Sequence, residues 1–280
     1  MPNPPPFHDV RPSPIANEWY PGDPNDLASS VDAYITHAEI PPIGGRVVGI
    51  LAPHAGHRYS GPVAGYAFKF LKGLTFDVVA LVGPSHYRYP AQILTTSHDA
   101  YETPLGRVPV DRDTLDALRE KVPIDAVRED PEHSLEIELP FLQRTLGQFS
   151  LIPLAMIDQS LERAEQLGHA LAEVLKSKEA LLVASSDLSH FHQQNVANRL
   201  DQKVLDAVGA YDPAGVVKAE EFGQEIACGR GAIAAVMIAA RDLGADSAIV
   251  VRHATSGDVI RRYDRVVGYG AAVFYQETAS

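Results

Sequence analysis

Histidine, cysteine and aspartate stand where the apolar runs of this chain stop, and those residue types bind transition metals or carry protons. His54 follows the apolar, β-branched run 47–52 after Pro53, and His86 follows a near copy of it, 78–83, after Pro84 and Ser85. Asp187 and His190 come directly after a third run, 180–186, and Cys228 precedes the apolar stretch 232–241. Neutral imidazoles together with a thiolate are a usual donor set for a borderline or soft metal ion. Cys228 lies before an expected helix start and two residues from Arg230; a helix N-terminus and a guanidinium each favour the thiolate. His133 and Glu136 form a further cluster, three residues apart on a helix expected to begin at Asp130 and so able to point at one spot.

For these residues to meet, the runs that carry them must be strands of one sheet. Two such strands side by side in a parallel sheet would deliver His54 and His86 to a crevice at their carboxyl ends, where open α/β sheets place ligands. Shorter β-like texts occur at 92–96, 106–109, 151–156, 247–253 and 266–275. Helical spacing occupies 26–38, 161–176, 195–208 and 213–221, Pro62 suits the first turn of a helix running to Leu71, and Pro140 should kink the helix begun at Asp130. Strands alternating with helices predict one α/β domain over 26–280, with a central, largely parallel or mixed sheet flanked by helices. Residues 1–25 read as an extended proline-rich arm that Trp19 and Tyr20 pack onto the body.

Of the 280 residues 45% are hydrophobic, enough for a sizeable core, and the formal net charge is −12. An acidic chain has no basic surplus to release counterions from a nucleic acid or to dock on an anionic membrane. The N-terminus has no apolar signal core and no run of eighteen apolar residues occurs, so a cytoplasmic protein is expected. The single cysteine excludes an internal disulfide. No Gly-rich dinucleotide or phosphate loop is present.

Each motif also has a plainer reading. A histidine after a strand can be a loop residue, and a lone cysteine can be a small buried hydrophobe. Asp187 and His190 can be a turn that caps the next helix, and His133 and Glu136 a solvated helix face. His8, His37, His57, His98, His169, His192 and His253 read as surface or structural residues.

The motifs APHAGHRYSG, GPSHY, EHSLEIELPF, SSDLSHF and CGRG, in that order, resemble the Memo family, mediator of ErbB2-driven cell motility, whose prokaryotic members are called protein B of AmmeMemoRadiSam systems. The resemblance runs from about Trp19 to Tyr275. It implies the fold of class III extradiol dioxygenases. It also places His54, His86 and Cys228 on the family's metal-site residues, Asp187 and His190 on further pocket residues, and His133 and Glu136 on its EHS motif. Extradiol enzymes hold Fe(II) with two histidines and a carboxylate. Cys228 at the third position does not imply ring cleavage and widens the metal to iron or copper, with Glu136 or Asp187 as candidate carboxylates. Before Trp19 the chain has Ala16-Asn17-Glu18 where the family has a small residue, Gly and Ser or Thr.

Three functions follow as expectations. In a metal-dependent oxidoreductase, His54, His86 and Cys228 hold the ion, His190 serves as acid/base, and Asp187 orients an imidazole or the substrate. In a non-catalytic scaffold, a crevice lined by Trp19 and Tyr59 takes a small molecule or peptide; the family context suggests radical-SAM and AMMECR1-type partner proteins. In a cysteine-dependent acyl transferase, Cys228 is the nucleophile and His190 or His86 the base.

Overall fold

The computed structural model describes residues 9–221 and 224–278. A nine-stranded mixed sheet forms its centre. In chain order the strands are β1 (Gly45–Ala52), β2 (Val78–Pro84), β3 (Ile93–Thr96), β4 (Asp125–Val127), β5 (Ser150–Met156), β6 (Ala180–Ser185), β7 (His190–His192), β8 (Ser247–Thr255) and β9 (Val266–Glu277). They lie in the order β7-β9-β1-β6-β2-β5-β3-β4, with β8 also paired to β9. Strands β1, β6, β2 and β5 run parallel. Their apolar runs are buried nearly end to end, as strands covered on both faces require.

The helices are α1 (Pro24–His37), α2 (His57–Lys69), α3 (Arg112–Arg119), α4 (Leu139–Leu146), α5 (Leu161–Leu175), α6 (Gln194–Gly209), α7 (Pro213–Lys218), α8 (Arg230–Asp242) and α9 (Ser256–Ile260). Helix α8 is apolar all round and buried from Gly231 to Ala240 between α5 and the strands β6, β2 and β1. Helix α2 packs on α1 and against β1, β8 and β9. Among the described residues no helix is long and apolar enough to cross a membrane.

Two local expectations are corrected. The helix expected from Asp130 does not form: 130–135 is irregular, a 3-10 turn spans Glu136–Glu138, and α4 follows with Pro140 in its first turn, where it kinks nothing. The backbone carbonyls that a helix would use are taken elsewhere, those of Asp130 and Glu132 by Arg11 and that of Ser134 by the Ser185 hydroxyl. Helix α2 begins a turn earlier than Pro62 suggests, because the N–H groups of Tyr59 and Ser60 both reach the Gly56 carbonyl.

Of the expected arm, residues 1–8, with His8, lie outside the described residues. Val10–Arg11 pairs in parallel with Ala100–Thr103, which hairpins onto Gly106–Pro109 in a separate three-stranded sheet. Trp19 and Tyr20 pack against the core.

Candidate metal centre

The strands that end at His54 and His86 are not neighbours. β6 lies between them, in register with both: Ala52 faces Ser185 and Val82 faces Ala184. Two strand spacings amount to roughly 9.6 Å, yet the two imidazole centroids are 5.3 Å apart, edge to face. Each ring leans inward over the end of β6, and the segment just past β6 supplies Asp187. Asp187 Oδ1 accepts the backbone N–H of His54 (2.9 Å) and of Ala55 (3.2 Å), so it fixes the turn that carries the first histidine. Burial pushes its carboxyl up to about 7, against the two N–H donors that favour the ionised form.

The tautomer of His54 follows from its neighbours. The Ser185 hydroxyl lies 2.6 Å from the Ser134 carbonyl, which can only accept, so its one hydrogen goes there. His54 Nδ1, 3.0 Å from the same hydroxyl, must therefore donate to it. Glu138, fully buried with Oε1 2.9 Å from the same hydroxyl, is pushed well above the carboxylate range by its burial. That leaves His54 Nε2 with a free lone pair, and Cys228 Sγ sits 3.2 Å from it. The ring is held neutral by burial and by the neighbouring histidines.

Cys228 is therefore a thiol donating to His54 in the metal-free protein. Burial, and then the charge of Asp187, push it up to about 12. At the half-buried Cys228 desolvation opposes the helix start and Arg230, which favour a thiolate. Gly229 lets the cysteine come so close. A Cβ there would lie 2.8 Å from the Ser185 carbonyl and 2.9 Å from Ser186 Cβ, and the Gly229 N–H bonds the Ser186 hydroxyl at 2.9 Å.

His86 and His133 form the other wall, their rings stacked with centroids 4.6 Å apart and 18° between planes. His133 also lies 5.5 Å from the His54 ring and 4.1 Å from Trp19, which roofs it. Behind both stands Glu132, a buried residue that sequence reasoning missed. Its Oε1 accepts His86 Nδ1–H at 2.9 Å and its Oε2 the His86 backbone N–H at 2.5 Å. Burial pushes the Glu132 carboxyl up, but the hydrogen bonds and charge of His86 and the Ser134 N–H outweigh it and hold it at about 2. His86 is raised in turn: burial lowers it, and Glu132 more than offsets that.

One donor atom each from His54, His86 and Cys228 lies within 4.8 Å of the others, and a second such set comprises His86, Glu132 and His133. A tetrahedral ion with nitrogen at about 2.0 Å and sulfur at about 2.3 Å separates its ligands by roughly 3.5 Å, so the first set closes on an ion with small side-chain movements. In the second set both oxygens of Glu132 are already occupied by hydrogen bonds, which suits a carboxylate that orients imidazoles better than one that ligates. His190, on β7, is half-buried beside these groups and lowered by desolvation and by the charge of His86.

Glu136 does not join His133. Its carboxylate accepts from Arg11 Nη1 at 2.5 Å, from Tyr20 OH at 2.6 Å and from Ser13 Oγ. The 3-10 turn, in place of the expected helix, directs it toward the N-terminal arm. His57, His98, His169 and His253 bond Ile137, Asp9, Asp242 and Asp201. Two signals for the missed residues exist in the text: Glu132 immediately precedes His133, and Ser185 is the first polar residue after a wholly apolar strand.

A family model described as Memo-like protein matches residues 11–273. A MEMO1 family protein of Nitrosopumilus maritimus is 34% identical over 275 residues, covering 95% of this chain and 99% of its own. One from Pyrobaculum aerophilum is 33% identical over 279 residues, with 95% and 99% covered, and one from Thermotoga neapolitana is 33% identical over 278, with 94% and 99%. The solved structure of an uncharacterized Escherichia coli K12 protein superposes with a TM-score of 0.53 at 13% identity, covering 80% of this chain and 99% of that one, a likeness of fold.

Proposed function

This chain belongs to the Memo family, and on that footing we propose that its crevice binds a redox-active transition metal, iron or copper, through His54, His86 and Cys228 and serves an oxidoreductase acting on a small molecule. The observation that carries the reading is the convergence of these three side chains from three separate segments within 4.8 Å of one another. The donor set fits such an ion: two neutral imidazoles and one sulfur, each backed by a hydrogen-bonding group. When bound, the ion would supply Lewis-acid and one-electron chemistry. The rest is the work of the chain. Ligation requires Cys228 to give up the proton it shares with His54 Nε2. Asp187 keeps the His54 turn in place through its two backbone N–H bonds. His190, half-buried and lowered by desolvation, is the group able to take a proton from a substrate.

A second reading, a scaffold for a small molecule or peptide, is favoured by the cavity next to the crevice. About 380 Å³ in volume, it is lined by Trp19, Ala55, Tyr59, Phe191, Ile260 and Tyr269 among others. Radical-SAM and AMMECR1-type proteins are the partners this reading proposes. Metal analysis of protein purified without chelator separates the two. The oxidoreductase reading expects stoichiometric iron or copper that is lost in a His54→Ala/His86→Ala variant; absence of metal from the wild-type protein refutes it and leaves the scaffold.

A further inference from the structure

The stacked pair His86 and His133 meets at a single oxygen, which accepts the Nδ1–H of the first and the backbone N–H of the second. His86 Nδ1 lies 2.9 Å from Glu132 Oε1, and the His133 backbone nitrogen 2.9 Å from the same atom. An ionised carboxylate only accepts, so a ring nitrogen facing it carries the hydrogen and the other nitrogen of that ring keeps its lone pair.

The carboxylate is itself immobilised. Its oxygens accept the backbone N–H groups of His86 (2.5 Å), His133 (2.9 Å) and Ser134 (2.8 Å). The loop that carries it is tied to the end of β2 by the Ser134 hydroxyl, which donates to the Pro84 carbonyl at 2.7 Å. From the other side Arg11, itself buried, donates to the Glu132 carbonyl at 2.7 Å, to the Asp130 carbonyl at 3.0 Å and to the Asp130 carboxylate at 2.8 Å. The N-terminal arm thus ends its fastening on the backbone of the residue that orients the His86 ring.

We infer that Glu132 is a positioning residue of the crevice, anchored by Arg11: it locks His86 in the Nδ1–H tautomer, so that this ring presents a bare Nε2, and through the His133 backbone N–H it holds the loop that stacks the His133 ring on His86. The inference rests on the proposed metal site for its purpose, though not for its test. His86 then meets an ion through Nε2 with Glu132 behind it, the arrangement by which outer carboxylates commonly raise ligand basicity. His133 stands next in line, either to complete the ligand sphere after a small shift or to hold a substrate atom.

The test reads tautomers in the metal-free protein. With ¹⁵N-labelled histidine, long-range ¹H–¹⁵N correlation spectra should show His86 as Nδ1–H in the wild type. In Glu132→Gln His86 should lose that preference, while His54, held by Ser185, should keep its own. The dissociation constant for Co²⁺, measured by competition with a chromophoric chelator, should weaken roughly 10–100-fold in the variant. Nε2–H tautomers in the wild type overturn the inference, whether or not the variant folds. So do unchanged tautomers in a folded Glu132→Gln protein, even with weaker Co²⁺ binding, since that loss would then reflect general destabilisation. A wild-type protein that binds no metal refutes the proposed function, while the tautomers still decide the role of Glu132.

Discussion

Cys228 Sγ and His54 Nε2 lie 3.2 Å apart although 174 residues separate them in the chain, and one proton serves both. The pair is an S–H donor facing an imidazole lone pair in a desolvated place.

Slow alkylation of Cys228 follows. With the thiol pushed up to about 12, its thiolate fraction at pH 8 is on the order of a thousandfold below that of an ordinary cysteine. Iodoacetamide should modify metal-free protein correspondingly slowly in a mass-spectrometric time course. Modification as fast as a free thiol would show a low-pKa nucleophile and revive acyl transfer.

Gly229→Ala tests the approach of the α8 start to β6. The added Cβ meets backbone at 2.8 Å, and overpacking of this kind costs about 1–3 kcal/mol. Urea denaturation should show that loss, and Cys228 should become reactive as it moves away from His54. An unchanged midpoint and unchanged reactivity would mean that the contact is not tight.

Acid should expose the bonds to Glu132. Its folded value of about 2 lies below the ordinary 4.5, so the stability it contributes is complete above pH 4.5 and is lost as pH falls toward 2. Between pH 6 and pH 2.5 the wild type should lose ~2–3 kcal/mol more than Glu132→Gln, measured by urea denaturation. Parallel pH profiles for the two proteins would contradict it.

Arg11→Met breaks a buried ion pair and leaves the Glu136 carboxylate with only Ser13 and Tyr20. The expected loss is roughly 3–5 kcal/mol, partly recovered in Arg11→Met/Glu136→Gln because no charge is then left unpaired. A double variant no better than the single one would count against a charge effect.

The sequence carries part of this site plainly. Strands that stop at Pro53, Pro84 and Ser186 announce where ligating residues lie, because an apolar, β-branched run has a recognisable end. Which strand lies between which is not written in any run, and the insertion of β6 between β1 and β2 became visible only with the sheet. Glu132 and Glu136 exchange the importance that helical spacing would give them. The path of their loop is set by Arg11, 121 residues from Glu132, and local periodicity has no access to a contact of that range. The protonation of Cys228 was hidden for the same kind of reason: charge neighbours can be read from text, whereas solvent exclusion belongs to the folded interior.

The position of β6 has a consequence for biosynthesis. β1 leaves the ribosome long before β6, which must slot in beside it, and β9, at the far end of the chain, covers the other edge of β1. The sulfur donor arrives later than both imidazoles, and the helix that follows it packs on α5, β6, β2 and β1, all of which precede it in the chain. A nascent chain holds the full donor set only once it has passed Cys228, so an ion met earlier would find two imidazoles and no sulfur.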